Sequence, residues 1–285
     1  MPLFLKPRGW HIHHQEQILL RANAGNPMLW LKFFHYPNYR QAVRIEMPPA
    51  KCKLKSKGNN AFFLFQQRVH GREIISLERL INVYPTISVA NPNDDWGGIS
   101  EIPEDLQQKY KESSRYWSLS EPSGSIILNE EWFETDDLSH WVQEAHRFIR
   151  GRIKHPERQK KRWGAQDAYL TGIGDCDEFT DLFITLARMR GIPCRRLTGY
   201  FIYWKNANVN VETEAHAWGE ILSSKVGWII IDVALNNIGT HSINYIILKI
   251  EEFNPALPDY QIRAKQLTTV HYQWERPKPI ITPLY

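Results

Sequence analysis

One cysteine, one histidine and one aspartate in the second half of the chain have the types and spacing of a nucleophilic site. Cys176 follows the segment Gly-Ile-Gly-Asp, His216 begins the segment HAWGEIL, and Asp232 ends the segment GWIIID. A cysteine nucleophile needs a base, and the base needs a group that orients it. We therefore predict Cys176 as the nucleophile, His216 as its base and Asp232 as the residue that orients His216.

The residues around Cys176 predict that it begins a helix. Asp175, with Glu178 three residues later, has the form of a capping box, and apolar residues then recur at helical spacing until Gly191 ends the helix. At a helix N-terminus, the free backbone amides and the helix dipole favour a thiolate over a thiol. Cys176 could instead be a small buried apolar residue, but the two preceding glycines let backbone come close to the sulfur.

His216 and Asp232 lie on two segments whose alternation predicts paired strands. His216 shares a face with Trp218 and Glu220, and the connection 223–227 is short enough for a hairpin. A carboxylate at the end of an apolar strand is costly to bury unless it accepts a hydrogen bond, for which an imidazole N–H is suited. Taken singly, His216 could be a core histidine and Asp232 a turn carboxylate; together with Cys176 they indicate a site.

The string GDCDEFTDLFITLARMRGIPCRRLTGY, followed by HAWGEI and GWIIID, resembles the core of the transglutaminase-like superfamily in composition, order and spacing. The resemblance implies a papain-like fold, with a helix packed on an antiparallel sheet, and a triad of Cys176, His216 and Asp232. It also implies the amide of Cys176 as one oxyanion donor, while Trp141 and Trp163 could supply a second N–H or simply pack. No Asp-rich loop matches the calcium sites of the eukaryotic cross-linking enzymes, and we expect neither a metal nor a cofactor.

The elements that must position this site divide the chain into four predicted parts. Residues 1–90 contain five strand-like segments between turns and predict a β-sandwich-like domain. Residues 91–125, rich in Pro, Gly, Asp and Ser, indicate a linker. Residues 126–254 are the expected catalytic domain, beginning with a helix over 136–153, and residues 255–285 are an expected Pro-containing extension draped over the surface. The predicted fold class is α+β, with the β-sandwich-like domain followed by a transglutaminase-like catalytic core.

Composition limits the class of partner and the compartment. The chain has 285 residues, 42% of them hydrophobic, and a net charge of +4, which argues only weakly for nucleic acid or an anionic membrane. Its three cysteines fit neither a disulfide framework nor a zinc knuckle and favour a reducing compartment. We find no signal-peptide core and no apolar run of about 18 residues. We therefore expect a cytoplasmic protein without nucleic-acid or membrane partners.

Three features outside the predicted triad leave a binding role open. Between Arg150 and Arg162 lie seven Lys or Arg against one Glu, a run that is usually solvated but could bind an anionic substrate or nucleic acid. The cluster of His11, His13 and His14 is more often a solvated face than a metal site. The loop 205–214, just before the catalytic histidine, is expected to border the substrate groove and set specificity.

The predicted reaction begins with attack of the Cys176 thiolate on an amide carbonyl, after which His216 protonates the departing amine and a thioester remains. Water would resolve the thioester in a peptidase, isopeptidase or amidase, and an amine would resolve it in a transglutaminase. We favour hydrolysis of a peptide or protein amide because nothing beyond the core specifies an amine site. Acyl transfer is the alternative, and a non-catalytic binding module on the same fold is the third possibility. The sequence predicts no oligomeric state.

Overall fold

A computed structural model gives the protein a mixed fold of mainly antiparallel sheets and few helices. The structure describes residues 7–22, 27–111, 114–121, 123–156, 161–205, 210–253, 260–265, 270–275 and 277–285. No helix in these ranges is both long enough and apolar enough to cross a bilayer.

The first third of the chain forms six strands that pair antiparallel. They are β1 (Gly9–Ala22), β2 (Met28–His35), β3 (Gln41–Met47), β4 (Cys52–Lys57), β5 (Asn60–Arg68) and β6 (Arg72–Pro85). Burial alternates along most of β1 because one face of the strand packs inward. Gly58 and Gly71 have positive φ in two of the turns that the sequence predicts.

Two sheets are built from these strands together with three strands late in the sequence. The late strands are β16 (Tyr260–Lys265), β17 (Val270–Glu275) and β18 (Ile280–Leu284). The first sheet has the order β17-β1-β6-β3, with β18 also paired to β1, and the second has the order β16-β2-β5-β4. Side chains of both sheets meet in one apolar cluster, which contains Ile18, Leu20, Leu29, Leu31, Phe33, Phe63, Phe65, Val69, Ile75 and Leu77.

The late strands differ from the surface extension that we expected for residues 255–285. β16 pairs with β2, and β17 and β18 pair with β1, so the described part of this segment completes both sheets. Residues 254–259 and 266–269 lie outside the described residues. Among the described side chains of β17 and β18, Trp274 and Ile281 pack against the apolar clusters of the sheets.

The segment that leads to the region of the predicted site is more ordered than its composition indicates. It contains β7 (Ser88–Val89), a 3-10 turn (Ile99–Glu101), α1 (Glu104–Tyr110), α2 (Ser123–Leu128) and a second 3-10 turn (Glu131–Glu134). Residues 91–125 have a linker-like composition, yet Trp96, Ile99 and Trp117 within them are almost fully buried in the helical core. A few large apolar side chains are enough to hold a polar segment against a core.

Helices and an antiparallel sheet make up the region of the predicted site. The helices are α3 (Leu138–Arg152), α4 (Ala165–Thr171) and α5 (Cys176–Arg190), and the strands are β8 (His155–Pro156), β9 (Ile173–Gly174), β10 (Cys194–Lys205), β11 (Asn210–Ser223), β12 (Gly227–Asp232), β13 (Asn237–Ile238), β14 (Thr240–His241) and β15 (Tyr245–Glu251). The sheet has the order β13-β12-β11-β10-β15. The predicted start of α5 at Cys176 is confirmed, and α3 is two residues shorter at its start than predicted because Asp137 caps it.

Helix α5 packs on one face of this sheet and is fixed to β11 by a side-chain hydrogen bond. Thr180, one turn after the start of α5, donates from Oγ1 to the carbonyl of Ala217 at 3.1 Å. Farther along, a Cβ at Gly219 would lie 3.3 Å from the ring of Phe183, so a glycine lets the helix approach the strand. The start of α5 is thereby positioned relative to the strand that carries His216.

Candidate functional site

The start of α5 is held by reciprocal caps, as the sequence predicts. Asp175 accepts from the amide of Asp177 at 3.0 Å, and Glu178 accepts from the amide of Asp175 at 3.1 Å. Cys176 is half-buried, so its sulfur is neither sealed in the core nor fully solvated. This geometry presents the thiol at the positive end of a helix.

His216 and Asp232 meet across neighbouring strands. The imidazole Nε2 of His216 lies 2.7 Å from Oδ2 of Asp232, and both residues are buried. Because a carboxylate oxygen only accepts, Nε2 carries the proton, and Nδ1 is the ring nitrogen left to interact with Cys176. The structure thus brings together all three residues that the sequence predicted.

The charge on His216 is set by these two neighbours. Burial alone lowers the pKa of His216, but hydrogen bonds with Asp232 and with Cys176 outweigh it and raise the pKa from 6.5 to about 10. An imidazolium is therefore favoured beside the sulfur at neutral pH. Such an imidazolium stabilises a thiolate, which is the nucleophilic form of cysteine.

Asp232 has two further partners that the sequence did not indicate. Its Oδ1 accepts from the amide of Leu235 at 3.1 Å, and its Oδ2 accepts from the hydroxyl of Tyr245 at 2.8 Å. Tyr245 begins β15, at the far edge of the sheet from β12, and no motif or spacing in the sequence marks it. Its place in the site depends on tertiary packing, which a single sequence does not display.

Opposite His216, strand β10 approaches strand β15 too closely to leave room for a side chain. Gly199 pairs with His216, and a Cβ at Gly199 would lie 1.8 Å from the carbonyl oxygen of Ile246. The pairing with β15 shifts register at this point. Aromatic rings then surround the imidazole, with Phe201 at 5.9 Å and Trp218 stacked at 5.8 Å between ring centroids.

A buried ionic network lies beneath the start of α5. Arg196 pairs with Asp177, the residue after Cys176, and its Nη1 lies 2.5 Å from Glu251. Arg162 binds the fully buried Asp181 at 2.5 Å. Buried charges need such partners because an unpaired charge in the interior is costly. No sequence motif marks this network, because its members come from separate segments.

The two tryptophans considered as oxyanion donors differ in exposure. Trp141 is fully buried and packs against Phe183. Trp163 is 40% exposed, and its backbone amide donates to Glu178 at 2.7 Å. Burial raises the pKa of Glu178 to about 7, although the amides of Trp163 and Asp175 oppose this rise. The same carboxylate therefore fixes both the helix start and the segment of Trp163.

The basic run between residues 150 and 162 is partly occupied by structural contacts. Arg150 donates to the carbonyl of Val233 at 2.8 Å, and Arg152 donates to the carbonyl of Tyr169. Arg162 belongs to the ionic network described above. Residues 157–160 of this run lie outside the described residues, as do residues 206–209 of the predicted specificity loop.

The side chains considered as metal ligands have protein partners. His11 contacts Asn82, His13 contacts Glu78, and His14 contacts Tyr36. In the described part of the chain, one group has ligand atoms close enough to share an ion; it consists of Asp175, Cys176 and Asp177, within 4.8 Å of one another. Capping and the pairing with Arg196 account for both of its carboxylates.

Comparison with known proteins places the site inside a recognised sequence region. The model of the transglutaminase-like superfamily matches residues 130–233, which contain the cysteine, histidine and aspartate described above. No curated protein matches the sequence.

A solved structure from Cytophaga hutchinsonii, named "Putative Cysteine Protease", is similar over nearly the whole chain. It is 15% identical, the match covers 97% of this chain and 94% of that one, and the TM-score is 0.59. The periplasmic domain of TgpA from Pseudomonas aeruginosa bound to ethylmercury is 13% identical over 76% of this chain and 88% of that one, with a TM-score of 0.39. The first similarity shows a shared fold, and the second is too low to show even that.

Proposed function

We propose, because residues 130–233 match the model of the transglutaminase-like superfamily, that the protein is a thiol enzyme with a triad of Cys176, His216 and Asp232. One observation carries the proposal: His216 bonds Asp232 at 2.7 Å through Nε2 while its hydrogen bond with Cys176 helps to raise its pKa to about 10. A cysteine, a base and an orienting carboxylate in this relation are what nucleophilic catalysis requires.

The proposed reaction proceeds through an acyl-enzyme. The Cys176 sulfur forms a bond to an amide carbonyl carbon, and the oxyanion that develops accepts from the backbone amide of Cys176. The C–N bond then breaks as the imidazolium of His216 gives its proton to the departing amine. Water attacks the resulting thioester, with His216 as base, to release a carboxylic acid and restore the thiol. The proposed substrate is accordingly a peptide or protein amide.

We assign the remaining parts of the chain supporting roles. The two N-terminal sheets are proposed to act as a β-sandwich-like domain that braces the catalytic domain. This is supported by Arg40, between β2 and β3, whose Nε lies 2.5 Å from the fully buried Glu220 on β11. Glu220 lies four residues after His216 on the same strand, so the brace acts close to the catalytic histidine.

Alkylation of Cys176 tests the proposed site directly. The rate of reaction with iodoacetamide would be measured across pH for wild type, His216→Ala and Asp232→Asn, with the modified residue located by mass spectrometry. We expect Cys176 to react faster than Cys52 and Cys194 at neutral pH, and both variants to lose much of that advantage. Equal reactivity of the three thiols would overturn the proposal.

Product analysis then distinguishes the fate of the thioester. A peptide library would be incubated with the protein in the presence and absence of a labelled primary amine. We expect free carboxylates, formed with or without the amine, as products of hydrolysis. Incorporation of the label at the expense of hydrolysis would instead assign acyl transfer, and Cys176→Ala should abolish either product.

A further inference from the structure

One oxygen of Asp232 is shared by two donors, and this sharing is not required by a cysteine, histidine and aspartate alone. Oδ2 accepts from His216 at 2.7 Å and from the hydroxyl of Tyr245 at 2.8 Å. Asp232 is fully buried, so no water competes for this oxygen from bulk solvent. Any change in one hydrogen bond therefore acts on the other through the same atom.

The direction of the Tyr245 proton follows from its second neighbour. Nδ2 of Asn237 lies 2.7 Å from the carbonyl oxygen of Thr240 and 2.9 Å from the hydroxyl oxygen of Tyr245. A carbonyl only accepts, so this atom of Asn237 is the amide nitrogen, and it donates to Tyr245 as well. With one lone pair of its oxygen occupied in this way, Tyr245 directs its single proton to Asp232.

Packing holds the phenol in place. Tyr245 is almost fully buried, and its ring contacts Phe201 and Trp218, each with ring centroids 5.0 Å away, and stacks on His241. Burial, together with the nearby charge of Asp232, raises the pKa of Tyr245 above its usual range. The hydroxyl therefore keeps its proton and remains a donor at neutral pH.

We infer that Tyr245, oriented by Asn237, is a positioning residue that fixes the carboxylate of Asp232 and limits how strongly Asp232 holds the imidazolium of His216. The inference rests on the proposed function and adds two residues to it. Neither residue touches the reacting atoms, and both act through Asp232.

Removing the hydroxyl should strengthen the remaining hydrogen bond to His216. With Tyr245→Phe, Oδ2 loses a donor that stabilises its charge, so the carboxylate attracts the imidazolium more strongly. The imidazolium then gives its proton to a leaving amine less readily. We expect the pH at which His216 loses its proton to rise by about one unit, and turnover of an amide substrate to fall about tenfold.

The experiment compares three variants in the alkylation assay and by NMR. Tyr245→Phe and Asn237→Ala are expected to move the titration of the His216 ring nitrogens upward, Asn237→Ala by less because the hydroxyl is still present. Tyr110→Phe is the matched control, since Tyr110 is also a buried tyrosine whose hydroxyl donates to a carboxylate, that of Glu252, outside the site. A purely structural loss would lower thermal stability in all three variants without moving the titration of His216.

The outcomes separate this inference from the proposed function. If Cys176 is selectively reactive in wild type and His216→Ala abolishes this, but Tyr245→Phe leaves the titration of His216 unchanged, the triad stands and the inference is overturned. If Cys176 reacts no faster than the other two thiols in wild type, both fall together. If Tyr245→Phe fails to fold, Asn237→Ala decides, because it keeps the phenol in its packing site.

Discussion

At the scale of single residues, Asp232 is a buried carboxylate that hydrogen bonds from other residues stabilise. Three donors reach it, namely the imidazole of His216, the hydroxyl of Tyr245 and the amide of Leu235. A carboxylate in the interior is costly unless such donors replace its water shell. One of the three donors is the imidazole of His216, which also interacts with Cys176. The hydrogen bonds to Asp232 therefore also affect the charge of the imidazole beside the thiol.

We expect Asp232→Asn to lower the pKa of His216 from its value of about 10. Burial alone lowers this pKa, and the largest opposing contribution comes from Asp232. An NMR titration of the histidine rings gives the value, and the exposed His140 serves as an internal control. A His216 that still titrates near 10 in the variant would show that Asp232 does not hold its charge.

The same pKa shift has a consequence for stability against pH. Because the folded pKa of His216 lies above the unfolded value, its contribution to the unfolding free energy is complete below about pH 6.5 and is lost as pH rises through about 10. The difference in unfolding free energy between wild type and Asp232→Asn should therefore shrink across that window.

The sequence was sufficient to predict that Cys176, His216 and Asp232 lie together, and insufficient to predict the residues that contact Asp232 from other elements. Cys176 lies at a helix start that its capping residues mark, and His216 and Asp232 lie on segments with clear alternation. Tyr245 and Asn237 reach Asp232 only through strand pairing and side-chain rotamers. Such contacts have no local signature, because the residues that form them belong to separate elements.

At the level of elements, the start of α5 depends on one buried carboxylate. Glu178 accepts from the amide of Asp175, which precedes the nucleophile, and from the amide of Trp163. A glutamine at this position could accept only one of these amides, since its nitrogen donates. The capping box and the segment of Trp163 cannot both be kept by such a substitution.

We expect Glu178→Gln to alter how stability depends on pH. The folded pKa of Glu178, about 7, lies above its ordinary value of 4.5, so the unfolded chain ionises first and the unfolding free energy of wild type falls as pH rises between them. The variant has no such titration and loses about 1 kcal/mol by weaker capping. Urea unfolding at several pH values should show the advantage of wild type shrinking or reversing as pH rises.

Substitution of an exposed carboxylate gives the comparison for this measurement. Glu131 is exposed and lies in the 3-10 turn before α3. For Glu131→Gln, the difference in unfolding free energy from wild type should stay nearly the same at every pH in this range. A difference between Glu178→Gln and wild type that also stays the same at every pH would contradict the raised pKa of Glu178.

We expect Gly199→Ala to destabilise the sheet next to His216. The new methyl group would meet the carbonyl oxygen of Ile246 at 1.8 Å, and backbone on both strands would have to move. Overpacking of this kind costs about 1 to 3 kcal/mol. Urea unfolding measures the loss, and the alkylation rate of Cys176 reports any displacement of the histidine.

At Gly151, in contrast, we expect substitution by alanine to stabilise the protein. A Cβ at Gly151, on an open face of α3, would meet no atom within 4 Å. Gly151→Ala should therefore stabilise the protein by about 0.5 to 1 kcal/mol through its effect on helix propensity. Equal effects of the two alanines would mean that close strand approach at Gly199 is not what constrains that position.

At the level of the whole molecule, Glu220 links the front of the chain to the sheet that carries His216 and Asp232. This fully buried carboxylate accepts from Arg40 at 2.5 Å, from Arg195 at 3.0 Å and from Tyr39 at 3.0 Å. Arg40 also donates to the carbonyl of Trp228, the second residue of the strand that ends in Asp232. The connection between the two parts therefore reaches both strands of the proposed catalytic pair.

We expect Arg40→Met to lower the unfolding free energy by about 2 kcal/mol, because a buried carboxylate loses one of its two cationic partners. It should also slow the alkylation of Cys176, since the pairing of β11 and β12 is disturbed. Lys225→Met is the control: Lys225 pairs with Asp95 on an exposed surface, where an ion pair contributes about 1 kcal/mol at most. Equal losses for both variants would contradict a bracing role for Arg40.

The organisation of the molecule was harder to predict than its site. The strand-like front and the helix-then-sheet order of the region around the proposed site could be derived from periodicity. The helix α1 with its buried neighbours and the three late strands could not, because a few apolar side chains in a polar context give no clear period. Pairing between β1 and β18 links residues at opposite ends of the sequence, and no local pattern contains such information.

The pairing of Gly9 with Leu284 also sets an order of events during synthesis on the ribosome. Strands β10, β11 and β12 are near neighbours in the chain and can pair soon after they emerge. Strand β1 can pair early with β6, but its other edge must wait for β17 and β18, and contacts between such distant residues form slowly. We therefore expect the segment that contains Cys176 to fold before the first sheet is complete, and one edge of β1 to stay unpaired in the nascent chain until β17 and β18 have been synthesised.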